Sequence, residues 1–291
     1  MSANTTGVLF VMLSGLFFGL IGYFGMNAMN ANLSVYTMLM WRFVVSSLFI
    51  LIVIIPRIQH LSVHKSSLIA VFFYGVVFYS STAIFYFLAS IHLGSGLAMV
   101  IFFTYPAFVM LINMLVYRIK IGRLYFLALA IITFGMILLM GVDSGQLDMQ
   151  GIIYSLLSAL LYAIYVVVSK NCPASPLPAT FVLTLGCVVT CFIAAWIDNS
   201  LAFPMETKAW INVSGIGIIC TALPIFFLLK GLKYLSATQA SILSVLEPVF
   251  VVIFGIILLG EHISFTQGIG VTALLCGALL SLLNDKTAQI P

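Results

Sequence analysis

Two charges stand in apolar surroundings where a carboxylate and a guanidinium are costly. Glu247 lies in T-Q-A-S-I-L-S-V-L-E-P-V-F-V-V-I-F-G-I-I-L-L-G, from Thr238 to Gly260, a run long enough to cross a bilayer as one helix. At 1.5 Å per residue the acid is roughly 13 Å from either end, near the midplane of a hydrocarbon core about 30 Å thick. A carboxylate at that depth faces protein or water rather than lipid. Pro248 follows it, removes one backbone donor and crowds the carbonyl four residues back, so a bend is expected beside the acid. An acid and a helix break at one depth suit a transport site; the alternative is a buried glutamate that only bonds a neighbouring helix. Arg42, in L-M-W-R-F, is the second charge. Inside a span it needs an acid, carbonyls or water, so Glu247 and a substrate carboxylate are both candidate partners. The alternative is an arginine that snorkels to the interface beside Trp41.

Phenols form the second signal. Tyr79 and Tyr86 are seven residues apart and share a helix face. Tyr105 precedes Pro106, and Tyr162 and Tyr165 are one turn apart. A phenol at mid-membrane wants a hydrogen-bond partner and tends to face a cavity, although helix packing also accounts for any single tyrosine. Thr221 and Pro224 stand close together, and the proline leaves an acceptor unpaired that can open toward a cavity. The candidate substrate-binding residues are therefore Arg42, Tyr79, Tyr86, Tyr105, Tyr162, Tyr165, Thr221 and Glu247. The candidate hinges are Pro106, Pro224 and Pro248. Aromatic walls with a few polar groups suit a small amphipathic solute. No catalytic set, metal ligand set or cofactor motif is expected. The five cysteines lack metal spacing and read as packing residues.

The elements that must position these residues follow from composition. Of 291 residues, 63% are hydrophobic and 6% charged, against about a quarter charged in soluble domains. Mean hydropathy is +1.26. The expected class is an all-α membrane protein, because the apolar runs are continuous and lack the alternation of a β-barrel. Ten stretches of spanning length are expected near 6–27, 35–55, 67–89, 96–117, 122–140, 150–169, 180–198, 210–230, 238–259 and 265–283. If helices alternate, Arg57, Lys65, Arg118, Lys120, Arg123, Lys170, Lys230, Lys233 and Lys286 fall on one side. Lys208 falls on the other, with Asp143, Asp148, Asp198, Glu206 and Glu261. By the positive-inside rule both termini are cytoplasmic. The net charge of +4 sits in short loops and implies no nucleic acid.

The chain also repeats. G-V-L-F-V-M-L-S-G-L-F-F-G-L from Gly7 matches G-I-I-Y-S-L-L-S-A-L-L-Y-A-I from Gly151, placing Ser14 on Ser158. F-F-T-Y-P-A-F-V from Phe102 matches the run from Leu243, placing Tyr105 on Glu247 and Pro106 on Pro248; Gly135 falls on Gly277 and Arg42 on Gly186. Five spans per half is an odd number, so residues 1–143 and 144–291 are expected to form two inverted five-helix repeats.

These residues carry a resemblance. E-P-V-F, then L-L-G-E-H-I-S-F-T-Q-G-I-G, and T-Y-P-A-F at the matching place in the first half resemble the EamA-type members of the drug/metabolite transporter superfamily. The first half departs from that pattern, reading V-Y-R-I-K-I after its fourth span. The resemblance implies a cavity lined by helices 1, 3, 4, 6, 8 and 9, with helices 5 and 10 peripheral. It implies a secondary transporter that moves a small polar or amphipathic metabolite, amino acids among the classes, by alternating access, with protons as the candidate coupling ion. A membrane-embedded enzyme or a sensor is the competing class. The expected partners are a small-molecule substrate and the bilayer, with a homodimer left open. The expected location is a bacterial cytoplasmic (inner) membrane.

Overall fold

The computed structural model describes residues 3–21, 23–24, 33–56, 65–140, 148–259 and 264–283. These residues are helical apart from their connections, as they must be in hydrocarbon, where the backbone has no water to bond. In chain order the helices are α1 (Ala3–Phe18), α2 (Val35–Ile54), α3 (Lys65–Leu93), α4 (Ser95–Leu115), α5 (Arg123–Met140), α6 (Met149–Lys170), α7 (Pro176–Ile197), α8 (Thr207–Gly231), α9 (237–259) and α10 (Phe265–Leu283). Among the described residues, seven helices are long and apolar enough to cross a membrane. Shorter apolar helices cover Asn4–Phe18, Arg123–Leu139 and Phe265–Ser281. Arg57, Asp143, Glu261 and Lys286, which enter the charge argument above, lie outside the described residues.

Helix starts carry local capping. The Ser34 hydroxyl accepts from Thr37 N–H ahead of α2, Asp148 from Gln150 N–H ahead of α6, and Ser236 and Gln239 cap each other ahead of α9. Each fills a donor that a helix start leaves unpaired.

The helices pair in a pattern that maps onto itself when the two halves are exchanged. α2 lies on α7, α5 on α10, and α4 on α9, while α1 on α8 is matched by α3 on α6. Single hydrogen bonds repeat the pattern. Ser14 Oγ of α1 donates to Pro224 O of α8 at 2.8 Å. Ser158 Oγ of α6 donates to Thr82 O of α3, also at 2.8 Å. The α5–α10 seam is backbone-close: a Cβ on Gly135 would lie 2.8 Å from Gly270 O, and one on Gly270 would lie 2.7 Å from Gly135 O. The small-residue face on α10 therefore serves helix packing.

Among the described residues, four breaks interrupt the long helices. α4 turns at Phe103–Thr104 just before Pro106. α9 tightens to a 3₁₀ turn over Ser244–Leu246, just before Glu247 and Pro248. α8 widens to a π-segment over Ile218–Ala222, just before Pro224. Each of the three prolines thus stands directly after a local departure from α geometry, as its missing donor requires. The fourth break, a π-segment over Tyr74–Tyr79 in α3, contains no proline. It begins 144 residues before its counterpart in α8, which is the repeat offset. The first span is shorter than expected: α1 stops at Phe18 and the chain turns at Gly19 and Leu20, where Gly19 crowds Phe250 of α9.

Candidate functional site

A cavity of about 60 Å³ lies among α1, α2, α3, α4, α6 and α9, room for a few water molecules. Arg42, Tyr79, Tyr86, Tyr162 and Glu247 line it, together with Thr82 and an apolar wall that includes Phe18, Phe87, Met99 and Phe102. Of the eight candidate binding residues, the fold brings these five together. α2 and α9 supply the charges, and α3 and α6 the phenols.

The other three stand behind the wall. Tyr105 is 1% exposed and donates from its hydroxyl to Ser241 O of α9 at 3.1 Å, so it ties α4 to α9. Its ring meets Tyr162 edge-on at 4.8 Å between centroids. Repeat alignment puts Tyr105 on Glu247, but equal depth does not mean equal direction, and the long phenol reaches the facing backbone. Tyr165 is fully buried, edge-on to Tyr79 at 5.0 Å, with a hydroxyl that has no partner among the described residues. It borders a second, smaller space of about 10 Å³ that Ser169, Cys172 and Lys233 also line. Beyond that space, Lys170 Nζ donates to Leu232 O at 2.8 Å and Lys233 Nζ to Cys172 O at 2.9 Å, strapping the connection after α6 to the one after α8. Thr221, the third, is the partner of Arg42.

Arg42 is 2% exposed, which rules out snorkelling. Its Nε donates to Thr221 Oγ1 at 2.5 Å, and Thr221 Oγ1 in turn donates to Ile216 O at 2.7 Å. Its Nη2 donates to Cys220 O at 3.3 Å. That carbonyl is available because the residue four positions on is Pro224, which has no N–H to offer it. The π-segment of α8 and the guanidinium of α2 are thus one unit. At the repeat-related place, Gly186 of α7 lies against the π-segment of α3 in the first half, so close that a Cβ would overlap Phe72 O and come within 3.0 Å of Val76 N. One half seats a glycine on its π-segment and the other half seats an arginine.

Glu247 opens the last part of α9. Pro248 cannot supply the N–H that Ser244 O would take in an α-helix, and the Glu247 N–H bonds that carbonyl instead. α1 approaches here on its small residues, with Gly15 set against the Glu247 backbone. Among the described residues, Arg42 and Glu247 form no ion pair; the ion pair found is His92–Asp148, at 2.7 Å. Among the described residues, neither the Glu247 carboxylate nor the hydroxyls of Tyr79 and Tyr162 have a hydrogen-bond partner. The cavity therefore presents unused acceptors and donors on an aromatic wall.

Thr82 is the lining residue that sequence reading passed over. Its signal was present, since it lies three residues after Tyr79 and four before Tyr86, on one helix face. Phe18, Met99 and Phe102 gave no signal, because apolar residues toward lipid and toward a cavity look alike. Among the described residues no group of three His, Cys, Asp or Glu side chains is placed to hold a metal ion.

Comparison with known proteins places this architecture. Residues 5–141 and 149–283 each match the EamA-like transporter family. An uncharacterized transporter of Archaeoglobus fulgidus is 34% identical over 134 residues, 45% of this chain and 47% of that protein. The uncharacterized transporter YxxF of Bacillus subtilis is 26% identical over 187 residues, 62% of this chain and 59% of that protein. The chain thus spans about half the length of the curated relatives it matches. A crystal structure superposes on 98% of this chain and 99% of its own with a TM-score of 0.80 at 15% identity, a likeness of fold. The protein is a multi-pass integral protein of the cytoplasmic (inner) membrane. With the family matched once in each half, the chain belongs to the EamA-like transporter family.

Proposed function

We propose that this transporter carries a small polar or amphipathic metabolite by alternating access. In this reading it has ten spans in two inverted halves, residues 1–143 and 144–291, with both termini in the cytoplasm. The observation that carries the proposal is the cavity itself. It gathers a buried cation and a half-buried acid, each on a helix that would cross the bilayer, and surrounds them with phenols. Charges at that depth are costly unless they are used. The exchange symmetry of the helix pairing supports two access states. Glu247 is the coupling group in this reading. It can hold a proton or release it to a substrate or an open gate, and the break before Pro248 lets that change bias how α9 closes.

The test is counterflow in sealed proteoliposomes, using labelled leucine, adenine and choline as representatives of amino acids, purines and quaternary amines. Exchange of one class, accelerated by an imposed pH gradient, is the expected result. Exchange indifferent to the gradient removes the proton from the mechanism. Failure of every class, from protein that is folded and correctly inserted, refutes the transport reading for these solutes.

A further inference from the structure

The donors of Arg42 point to the chemistry of the solute, given the transport reading above. A guanidinium has five N–H groups in a fixed fork. Thr221 Oγ1 takes the one on Nε and Cys220 O takes one on Nη2. Among the described residues, the three remaining N–H groups have no partner, on a side chain that also lines the cavity. The acid nearest to them in kind, Glu247, lines the same cavity but forms no ion pair with Arg42 among the described residues. Both attachments come from α8, so the guanidinium is held by one edge and its orientation is fixed before any ligand arrives.

We propose that the cavity takes a carboxylate-bearing solute with a small apolar body, its carboxylate docked on the free edge of Arg42, together with one compensating positive charge. A planar carboxylate matches the guanidinium fork in two parallel bonds. The apolar body meets Phe18, Phe87, Met99 and Phe102. The compensating charge follows from charge balance: Arg42 and ionised Glu247 sum to zero, so a lone anion or a lone cation would leave a net charge at low dielectric. The positive charge is either the solute's own ammonium, facing Glu247, or a proton on Glu247.

Leucine, 4-methylpentanoate and 3-methylbutylamine share one branched body and differ in head group. We expect leucine or 4-methylpentanoate to raise the thermal unfolding midpoint of the purified protein in detergent, and 3-methylbutylamine to leave it unmoved. If the ammonium supplies the charge, leucine binds and Glu247→Gln abolishes that binding. If a proton supplies it, 4-methylpentanoate binds more tightly as pH falls and Glu247→Gln retains it. Arg42→Gln should weaken carboxylate binding at least about tenfold, the scale of a charged hydrogen bond. Should Arg42→Gln fail to fold, Arg42→Lys keeps the charge without the fork and should still weaken binding severalfold. Stabilisation by 3-methylbutylamine equal to that by leucine, stabilisation by neither carboxylate, or unchanged carboxylate binding in the Arg42 variants overturns the proposal. Counterflow is read separately. Binding without counterflow sinks the transport reading and leaves this one standing, whereas counterflow of a solute without a carboxylate does the reverse.

Discussion

Replacing Thr221 by valine removes the hydroxyl that holds Arg42 and leaves the volume nearly unchanged. Two bonds are lost, from Arg42 Nε at 2.5 Å and to Ile216 O at 2.7 Å. Neutral interhelical hydrogen bonds in membranes average about 0.6 kcal/mol. The Arg42 bond has a charged donor, for which about 1.5–3 kcal/mol is usual, and both groups are buried. The charged bond dominates, so Thr221→Val should cost about 2 kcal/mol, roughly a thirtyfold shift in the unfolding equilibrium. Thr221→Ser keeps the hydroxyl and should cost well under half of that. Reversible denaturation in mixed micelles measures both variants. A double-mutant cycle with Arg42→Gln isolates the pair, and the coupling should account for most of the 2 kcal/mol. Additive effects, or a Thr221→Val cost below about 0.5 kcal/mol, would show that Arg42 is satisfied elsewhere and that α8 does not orient it.

Other expectations follow from single positions. Gly186→Ala should lower stability by about 1–3 kcal/mol, because the new methyl meets backbone of α3, whereas Gly268→Ala, with open space around it, should be neutral or stabilising by up to about 1 kcal/mol; thermal unfolding of the two side by side decides. Tyr105→Phe should cost about 1 kcal/mol through the lost bond to Ser241 O while leaving transport intact, and a transport defect at normal stability would return Tyr105 to the solute path. In the transport assay, Glu247→Gln should abolish flux driven by a pH gradient and keep exchange at equilibrium. The hydrogen bond from His92, and then the Gln150 N–H, hold the Asp148 carboxyl below its usual range. Its contribution to stability is therefore whole above the ordinary aspartate value and fades as pH falls through the lowered one, so Asp148→Asn should flatten the acid limb of a melting-point profile; an unchanged limb would mean that the pair is not formed in solution.

The spans were readable because apolar runs of that length have few other uses, and the repeat because serines and prolines recur at a fixed offset. Ser14 and Ser158 keep that promise down to matching hydrogen bonds. Pro224 also announced an open carbonyl, and Cys220 O is that carbonyl. Directions around a helix axis were harder to read. Tyr105 and Glu247 share a repeat position, yet one reaches a facing backbone and the other lines the cavity. The π-segment of α3 was invisible: nothing in Y-G-V-V-F-Y marks the loss of α spacing, which is set by its packing on α7. The contest between Glu247 and α8 for Arg42 was equally undecidable from types alone, since both offer acceptors near the middle of an apolar run.

The π-segment of α3 has a consequence for insertions and deletions. An α-helix turns about 100° per residue, and a π-segment accommodates one residue more than α spacing would. Counted on uninterrupted α spacing, residues 65–73 before it and the cavity-lining arc from Tyr79 to Phe87 after it would therefore be out of phase by about that angle, and the π-segment takes up the difference. Deleting one residue within 74–79 would let the helix close into continuous α geometry at little backbone cost. It would also leave the two parts in their present orientation, so Tyr79, Thr82 and Tyr86 could go on facing the cavity while Val71 kept its buried place. In α5, where no such segment intervenes, the same deletion would turn one part of the helix by about 100° against the other and break up the face that meets α10 at Gly135 and Gly270. A one-residue gap among relatives thus means different things in the two helices: a face turned off its seam in α5, and an unchanged cavity wall in α3.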